Sequence, residues 1–460
     1  MAELDREAWP GIDTQTGDLL RKLAPGVVVA ARAIPGGGQR KTYFATALEG
    51  SRTRELVLQV VNSGGPYDGM GITSLGREAR LFKALESTDA SAITPRLIAV
   101  DEDASALLTE RAAGSSDFAT VSESWRRPLT DDFIHALTRL HAVGAARVAD
   151  VGFKRPQGNH EAGQGWLGVW AKLFTRVRRP APLVRLALEW LSDNAPAMSD
   201  PLVICHGDLG PGNFVFVDDQ VIKLVDWELS HLGDFHDDLG MLAVRGFQFG
   251  AMEGLNDALR LYEKLSGRRV DGWKVRYYRA VGLLLGAVTS LVQLDHAVTC
   301  GRPLIAMPLY LHLVPMLQLW LTEAILDLEG TSPEPVELPQ ADDDVEMLDV
   351  ALALSDAQTS LATAGSGGDA NFADILLHLK AKAHYGRSVQ AAELDDIASL
   401  IGRRPSDLWE GRRALDAGIQ SGALRPAELL RWSWRAAKRQ SLLWPSWAEL
   451  YERRLIPVTI

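Results

Sequence analysis

Apolar and polar positions alternate in short runs over the first hundred residues, and the period changes after that. Residues 27–30, 42–47 and 56–61 each have the length and β-branched content of a strand. A glycine cluster and the Glu49-Gly50 pair separate them, so the pattern predicts antiparallel hairpins. A helical stretch follows at about 75–85, and residues 97–100 and 106–109 predict two more strands, which completes a small α+β lobe. Past Gly114 the spacing becomes helical, with Thr130 placed as a cap for a stripe of Phe133, Ile134, Leu137 and Leu140 that closes at His141. Short strands return over 202–226, and helices resume from about Asp238 to Leu328.

The Pro-rich, acidic stretch 331–344 predicts a linker, and helical periodicity dominates beyond it. The expected domains are therefore 1–110, 111–330 and 345–460, the last all-helical and without a chemical motif. Trp432, Trp434, Trp444 and Trp447 cluster near its end, where packing is the default role of such side chains. No internal repeat or heptad run is present.

Composition narrows the function classes. A 460-residue chain with 47% hydrophobic and 23% charged residues is an ordinary globular protein of two or three domains. Its net charge of -11, with no run of Lys or Arg, excludes a sequence-independent grip on nucleic acid. Two cysteines, Cys205 and Cys300, predict reduced thiols and a cytoplasmic protein, and the acidic first residues do not read as an export signal. The greasiest segment, 280–294, is bounded by Arg279 and Asp295 and falls short of the ~20 residues of a membrane span. A buried helix is predicted there, with no membrane partner.

The chemistry concentrates between His206 and Asp226. Two apolar runs, 214–217 and 221–225, flank the turn residues Asp218 and Asp219 and predict a hairpin whose outer ends meet. Asp208 and Asn213 precede the first run and Asp226 closes the second, so one small volume receives all three. Phosphoryl transfer from ATP requires magnesium held on the phosphates and an acceptor hydroxyl aligned beside a carboxylate. Magnesium takes hard oxygen donors, which suits the Asn213 amide oxygen and the Asp226 carboxylate, and Asp208 is then free to receive the hydroxyl proton. His206 stands too near Asp208 to be needed as a second base, and is read as a brace of the loop.

His206-Gly207-Asp208, Asn213 and Asp226 resemble, position by position, the fingerprint of the aminoglycoside phosphotransferase and choline kinase superfamily. Asp226-Trp227-Glu228-Leu229-Ser230, with Gly233-Asp234 and Asp238-Leu239-Gly240, resembles in particular the branch that includes kinase domains fused to acyl-CoA dehydrogenases. The resemblance covers roughly 27–328. It implies a bilobal protein-kinase-like fold of α+β class, a small antiparallel-sheet lobe followed by a mainly helical one, with an all-α domain appended.

Carried over by residue, the resemblance implies Asp208 as catalytic base, Asn213 and Asp226 as magnesium ligands, and Asp234 and Asp238 as supports of the loop. Gly36, Gly37, Gly38, Arg40 and Lys41 fall in the glycine loop over the nucleotide, and Glu110 ends the hinge strand whose backbone receives adenine. Glu78 matches the helix glutamate that pairs with a strand Lys or Arg, but Gln59 stands at that basic position. The usual pair cannot form, and Arg40 or Lys41 is left to supply the charge. The implied activity is ATP- and magnesium-dependent phosphorylation of a small-molecule hydroxyl: an aminoglycoside-like compound, an amino alcohol or a hydroxyacyl-CoA. The alternative is a nucleotide-binding pseudokinase whose helical terminal domain docks a partner.

Overall fold

The computed structural model describes residues 9, 11–34, 40–61, 74–103, 105–198, 201–300, 307–342 and 369–460. Its contacts divide the chain into two units. One comprises Met1–Gly165, Ala197–Val275 and Val458–Ile460, the other Trp166–Pro196 and Arg276–Pro457.

The first unit opens with helix α1 (Thr14–Leu23), capped by Asp13. A five-stranded antiparallel sheet follows in the order β1-β2-β3-β5-β4, formed by Val27–Ile34, Arg40–Glu49, Arg52–Val61, Ala106–Glu110 and Leu97–Asp101 respectively. Period-two alternation gives the sheet two different faces. Tyr43, Ala45 and Ala47 of β2 and Leu56 and Leu58 of β3 join Leu20 of α1 in a buried core. Thr42, Phe44 and Gln59 therefore face the other way.

Helix α2 (Leu75–Leu85), capped by Ser74, buries Leu75, Ala79 and Phe82, and with them the carboxylate of Glu78. A buried charge on a helix face requires a partner. Helix α3 spans Glu123–His141, so it starts before the Thr130 expected as its cap. Thr130 lies inside it and donates its hydroxyl to the Arg126 carbonyl.

After α3 the same unit continues with α4 (Asn159–Gln164), then the short strands and loops of residues 203–233. Helix α7 begins at Phe235 under an Asp234 cap, three residues before the expected restart, and runs to Leu242. It passes into a π-helical turn over Ala243–Gln248, and α8 (Leu255–Ser266) follows.

The second unit is all-helical. It contains α5 (Leu167–Phe174), α6 (Pro182–Asp193), most of α9 (Gly272–Cys300), α10 (Met307–Leu328), α11 (Asp369–Ile401), α12 (Leu408–Gln420), α13 (Pro426–Gln440) and α14 (Ala448–Glu452). Residues 331–342 form neither helix nor strand, as their composition predicts. Contacts nevertheless group α11–α14 with α10, a division that differs from the boundaries read from composition. Thr322 of α10 and Ser433 of α13 share a buried 3.0 Å hydrogen bond, and Trp432, Trp434 and Trp444 are buried in the same unit.

Helices α9 and α10 are long and apolar enough to cross a membrane by length and composition, which the bounded run 280–294 did not suggest. About two thirds of each apolar window is buried inside the protein, 67% and 61%. Core packing explains their composition.

Within this unit Glu393 is almost fully buried and takes two hydrogen bonds from Arg412, at 2.7 and 2.9 Å. Arg412→Ala leaves that carboxylate unpaired, and we expect a loss of about 3 kcal/mol in urea unfolding. Arg412→Ala/Glu393→Leu removes the stranded charge and is expected to recover part of that loss.

Candidate active site

The candidate segment, residues 203–233, is built on two short antiparallel strand pairs. Strands β6 (Val203–Cys205) and β9 (His231–Gly233) pair antiparallel, as do β7 (Phe214–Val217) and β8 (Gln220–Leu224), whose turn is Asp218-Asp219. The Val225 amide donates to the Asn213 carbonyl at 2.8 Å, so the outer ends of the second hairpin meet as its sequence predicts.

The loop between β6 and β7 is held from below by Asp238 of α7. Its fully buried carboxylate accepts the His206 amide on Oδ2 and the Gly207 amide on Oδ1, both at 2.8 Å. His141 Nε2 donates to the same Oδ2, which leaves Nδ1 to accept from the Tyr262 hydroxyl at 2.7 Å. Gly207 adopts φ +83°, and a Cβ there would lie 2.3 Å from the Leu229 carbonyl. Only glycine fits that turn. The His206 ring donates through Nε2 to the Val225 carbonyl, and burial lowers its pKa. This ties the two ends of the segment together.

Asp234 caps α7 by accepting the His236 amide, receives the His236 ring on the same oxygen, and takes Lys274 Nζ on the other at 2.9 Å. Burial opposes ionisation of Asp234, but His236 and Lys274 outweigh it and hold the carboxyl at about 2.

Above this base lie the acidic groups. Asn213 donates its amide to the Asp208 carbonyl at 2.8 Å and to the Asp208 carboxylate at 2.7 Å, which turns its own carbonyl oxygen into the group available for ligation. Asp226 adopts a left-handed backbone, φ 65°, and its carboxylate accepts no hydrogen bond among the described residues. Burial raises its pKa to about 6 against the opposing pull of Arg40, with Asp208 and Glu78 adding to the rise. Burial, followed by the charge of Asp226, pushes Glu228 up to about 8. These buried carboxylates are short of positive charge, and their hard oxygen donors are of the chemical kind that a divalent cation such as magnesium takes.

Two arginines face these carboxylates. Arg40 opens β2 and is 5% exposed. Its Nη1 donates to Glu78 at 3.0 Å, Nη2 donates to the other Glu78 oxygen, and Nε lies 3.3 Å from Glu228. Arg245, in the π-helical turn, pairs with the Asp208 carboxylate and donates to the carbonyls of Asp208 and Pro211 at 3.3 and 3.2 Å. Gly210 admits it, since a Cβ there would meet the Arg245 Cβ at 2.4 Å.

The other nominated residues separate. Glu78 does form a buried pair, with Arg40 in place of a residue at 59. Gln59 lies opposite Thr42 on the face that Arg40 shares, whereas Lys41 points to the other face and is exposed. The Glu110 side chain pairs with Arg54, and its amide is taken by the Arg96 carbonyl, so that amide is not available to a base edge. Gly36, Gly37 and Gly38 lie outside the described residues.

Arg245 and Glu228 were not nominated from sequence. Glu228 stands two residues from Asp226, a spacing that could have flagged it. Arg245 lies 37 positions from Asp208, and no local pattern signals it.

The profile of the phosphotransferase enzyme family matches residues 30–273, more than half of the chain, and the chain belongs to that family. Mouse acyl-CoA dehydrogenase family member 10 is 25% identical over 210 residues, 43% of this chain and 18% of that protein, so the chain spans under a fifth of this relative. A crystal structure of a Ralstonia eutropha protein assigned as an aminoglycoside phosphotransferase aligns with a TM-score of 0.52 at 20% identity, covering 70% of this chain and 99% of the other. That likeness establishes the kinase-like fold. A macrolide 2'-phosphotransferase from Brachybacterium faecium aligns with a TM-score of 0.44 at 19% identity, over 62% of this chain and 92% of its own.

The depressed Asp234 carboxyl sets a pH dependence. Its folded value lies below the 3.8 of a free aspartate, so its contribution to stability is fully present above that value and fades as pH falls through about 2. Asp234→Asn is expected to lower stability at neutral pH by about 3 kcal/mol and to flatten the acid limb of the denaturation profile between about pH 4 and 2. Urea titrations across that range read both effects.

Proposed function

We propose that the chain is an ATP- and magnesium-dependent phosphotransferase acting on a hydroxyl group of a small molecule. The observation that carries this reading is the meeting of the hairpin's outer ends, which sets Asn213, hydrogen-bonded to the Asp208 carboxylate, beside Val225 and the adjoining Asp226. Family membership and fold support it.

In this mechanism Asp208 accepts the proton of the acceptor hydroxyl, held in orientation by Asn213 from one side and Arg245 from the other. Asn213, Asp226 and the adjacent Glu228 supply oxygen donors for magnesium, which when bound would neutralise the nucleotide phosphates. Asp238 keeps the loop amides of His206 and Gly207 in place, so the base does not drift from its partner. The hinge amide for an adenine edge would come from Ala112 or Ala113, beyond the committed amide of Glu110.

The acceptor classes are an aminoglycoside-like compound, an amino alcohol or a hydroxyacyl-CoA. The acyl-CoA dehydrogenase family relative supports the last of these. The pseudokinase alternative drew its strength from Gln59, and the Arg40–Glu78 pair weakens it by returning a cation to the same face.

The test is magnesium-dependent ATP turnover against a panel of hydroxylated compounds spanning those classes. Asp208→Ala is expected to lower turnover about 10²- to 10⁴-fold with nucleotide affinity nearly unchanged, whereas Asp226→Ala is expected to remove the magnesium dependence of binding. Magnesium-dependent ATP binding by the wild type without turnover on any acceptor would favour the pseudokinase.

A further inference from the structure

Resting on the phosphotransferase reading, we infer that Arg40 is the cation that meets the nucleotide phosphates, delivered from β2 where a basic residue on β3 is absent. The strand register makes this substitution possible. Arg40 pairs with Val61 and Thr42 with Gln59 across the β2–β3 ladder. Residues directly opposite point to the same face, as do residues two apart on one strand. Arg40 and Gln59 are thus diagonal neighbours on one face, with backbones about 7–8 Å apart, within reach of a common point for a long side chain. Lys41 lies between them in sequence and faces away, so it cannot share the role.

Part of the guanidinium's donor capacity is used by carboxylates. Glu78 takes one N–H from each terminal nitrogen, which fixes the fork in one plane. Nε is buried and lies 3.3 Å from the Glu228 carboxylate, yet it finds no hydrogen-bond acceptor. A planar fork with five donors keeps further N–H groups for a phosphate oxygen after Glu78 is served. The charge of Arg40 also acts on Asp226, so the cation, a metal ligand and the helix carboxylate belong to one electrostatic site. Gln59, half-buried on the same face, offers a dipole but no charge.

The experiment compares Mg·ADP with adenosine, a probe without phosphate, by titration calorimetry on the full chain. Arg40→Gln is expected to weaken Mg·ADP about tenfold or more while leaving adenosine within about twofold. Arg40→Gln/Gln59→Lys is expected to regain most of the Mg·ADP affinity, because the charge returns from the diagonal position. If Arg40→Gln does not fold, Arg40→Lys replaces it with the same two probes, since it keeps the charge beside Glu78 but loses the fork.

Equal loss of both probes would make Arg40 a structural residue and overturn the inference, as would unchanged Mg·ADP affinity or a folded double variant with no recovery. Each of these outcomes leaves the phosphotransferase reading standing. Wild-type protein that fails to bind Mg·ADP would instead remove that reading, and the inference with it.

Discussion

One buried carboxylate holds the candidate segment together. Asp238 lies at the start of a helix, where backbone amides favour negative charge, and it spends its two oxygens on consecutive loop amides and on the His141 ring. Those amides precede Asp208 immediately, so the position of Asp208 follows from that of Asp238. The other nitrogen of His141 meets the Tyr262 hydroxyl, and the network reaches from α3 through α7 to α8. Asp238, His141 and Tyr262 each find partners in it, and satisfied buried polar groups add rigidity rather than cost.

Above that base the site is deliberately unbalanced in charge. Asp208, Asp226, Glu228 and Glu78 face two guanidiniums, and burial drives Asp226 and Glu228 toward their protonated forms. Such a cluster stores electrostatic free energy that a bound cation would release. Arg40 and Arg245 divide the work between them. Arg40 spans Glu78 on α2 and Glu228 in the segment after Asp226, while Arg245 grips the catalytic loop at Asp208 and Pro211.

Much of this was legible along the chain. The hairpin carrying Asn213 and Asp226 could be read because its turn residues and apolar runs are local signals, and helix α2 falls on the helical stretch read at about 75–85. Asp234 and Asp238 were nominated as supports of the loop; in the structure Asp238 accepts the Gly207 amide and Asp234 takes Lys274. The start of α3 was missed because Thr130 resembles a cap, whereas in a helix interior its hydroxyl bonds back to the preceding turn. Arg245 was missed because a single arginine in an apolar helical run looks like any surface charge.

The sequence by itself determined the antiparallel sheet, the catalytic hairpin and the three oxygen-bearing residues at its ends, since each depends on periodicity or on neighbours a few positions apart. Only the tertiary structure decided which cation serves Glu78, which arginine grips Asp208, and that α11–α14 pack in one unit with α10. The physical reason is range. Turn chemistry and amphipathic period act over single turns and strands, whereas the partner of a buried charge is selected by whatever side chain the folded backbone brings within hydrogen-bond reach.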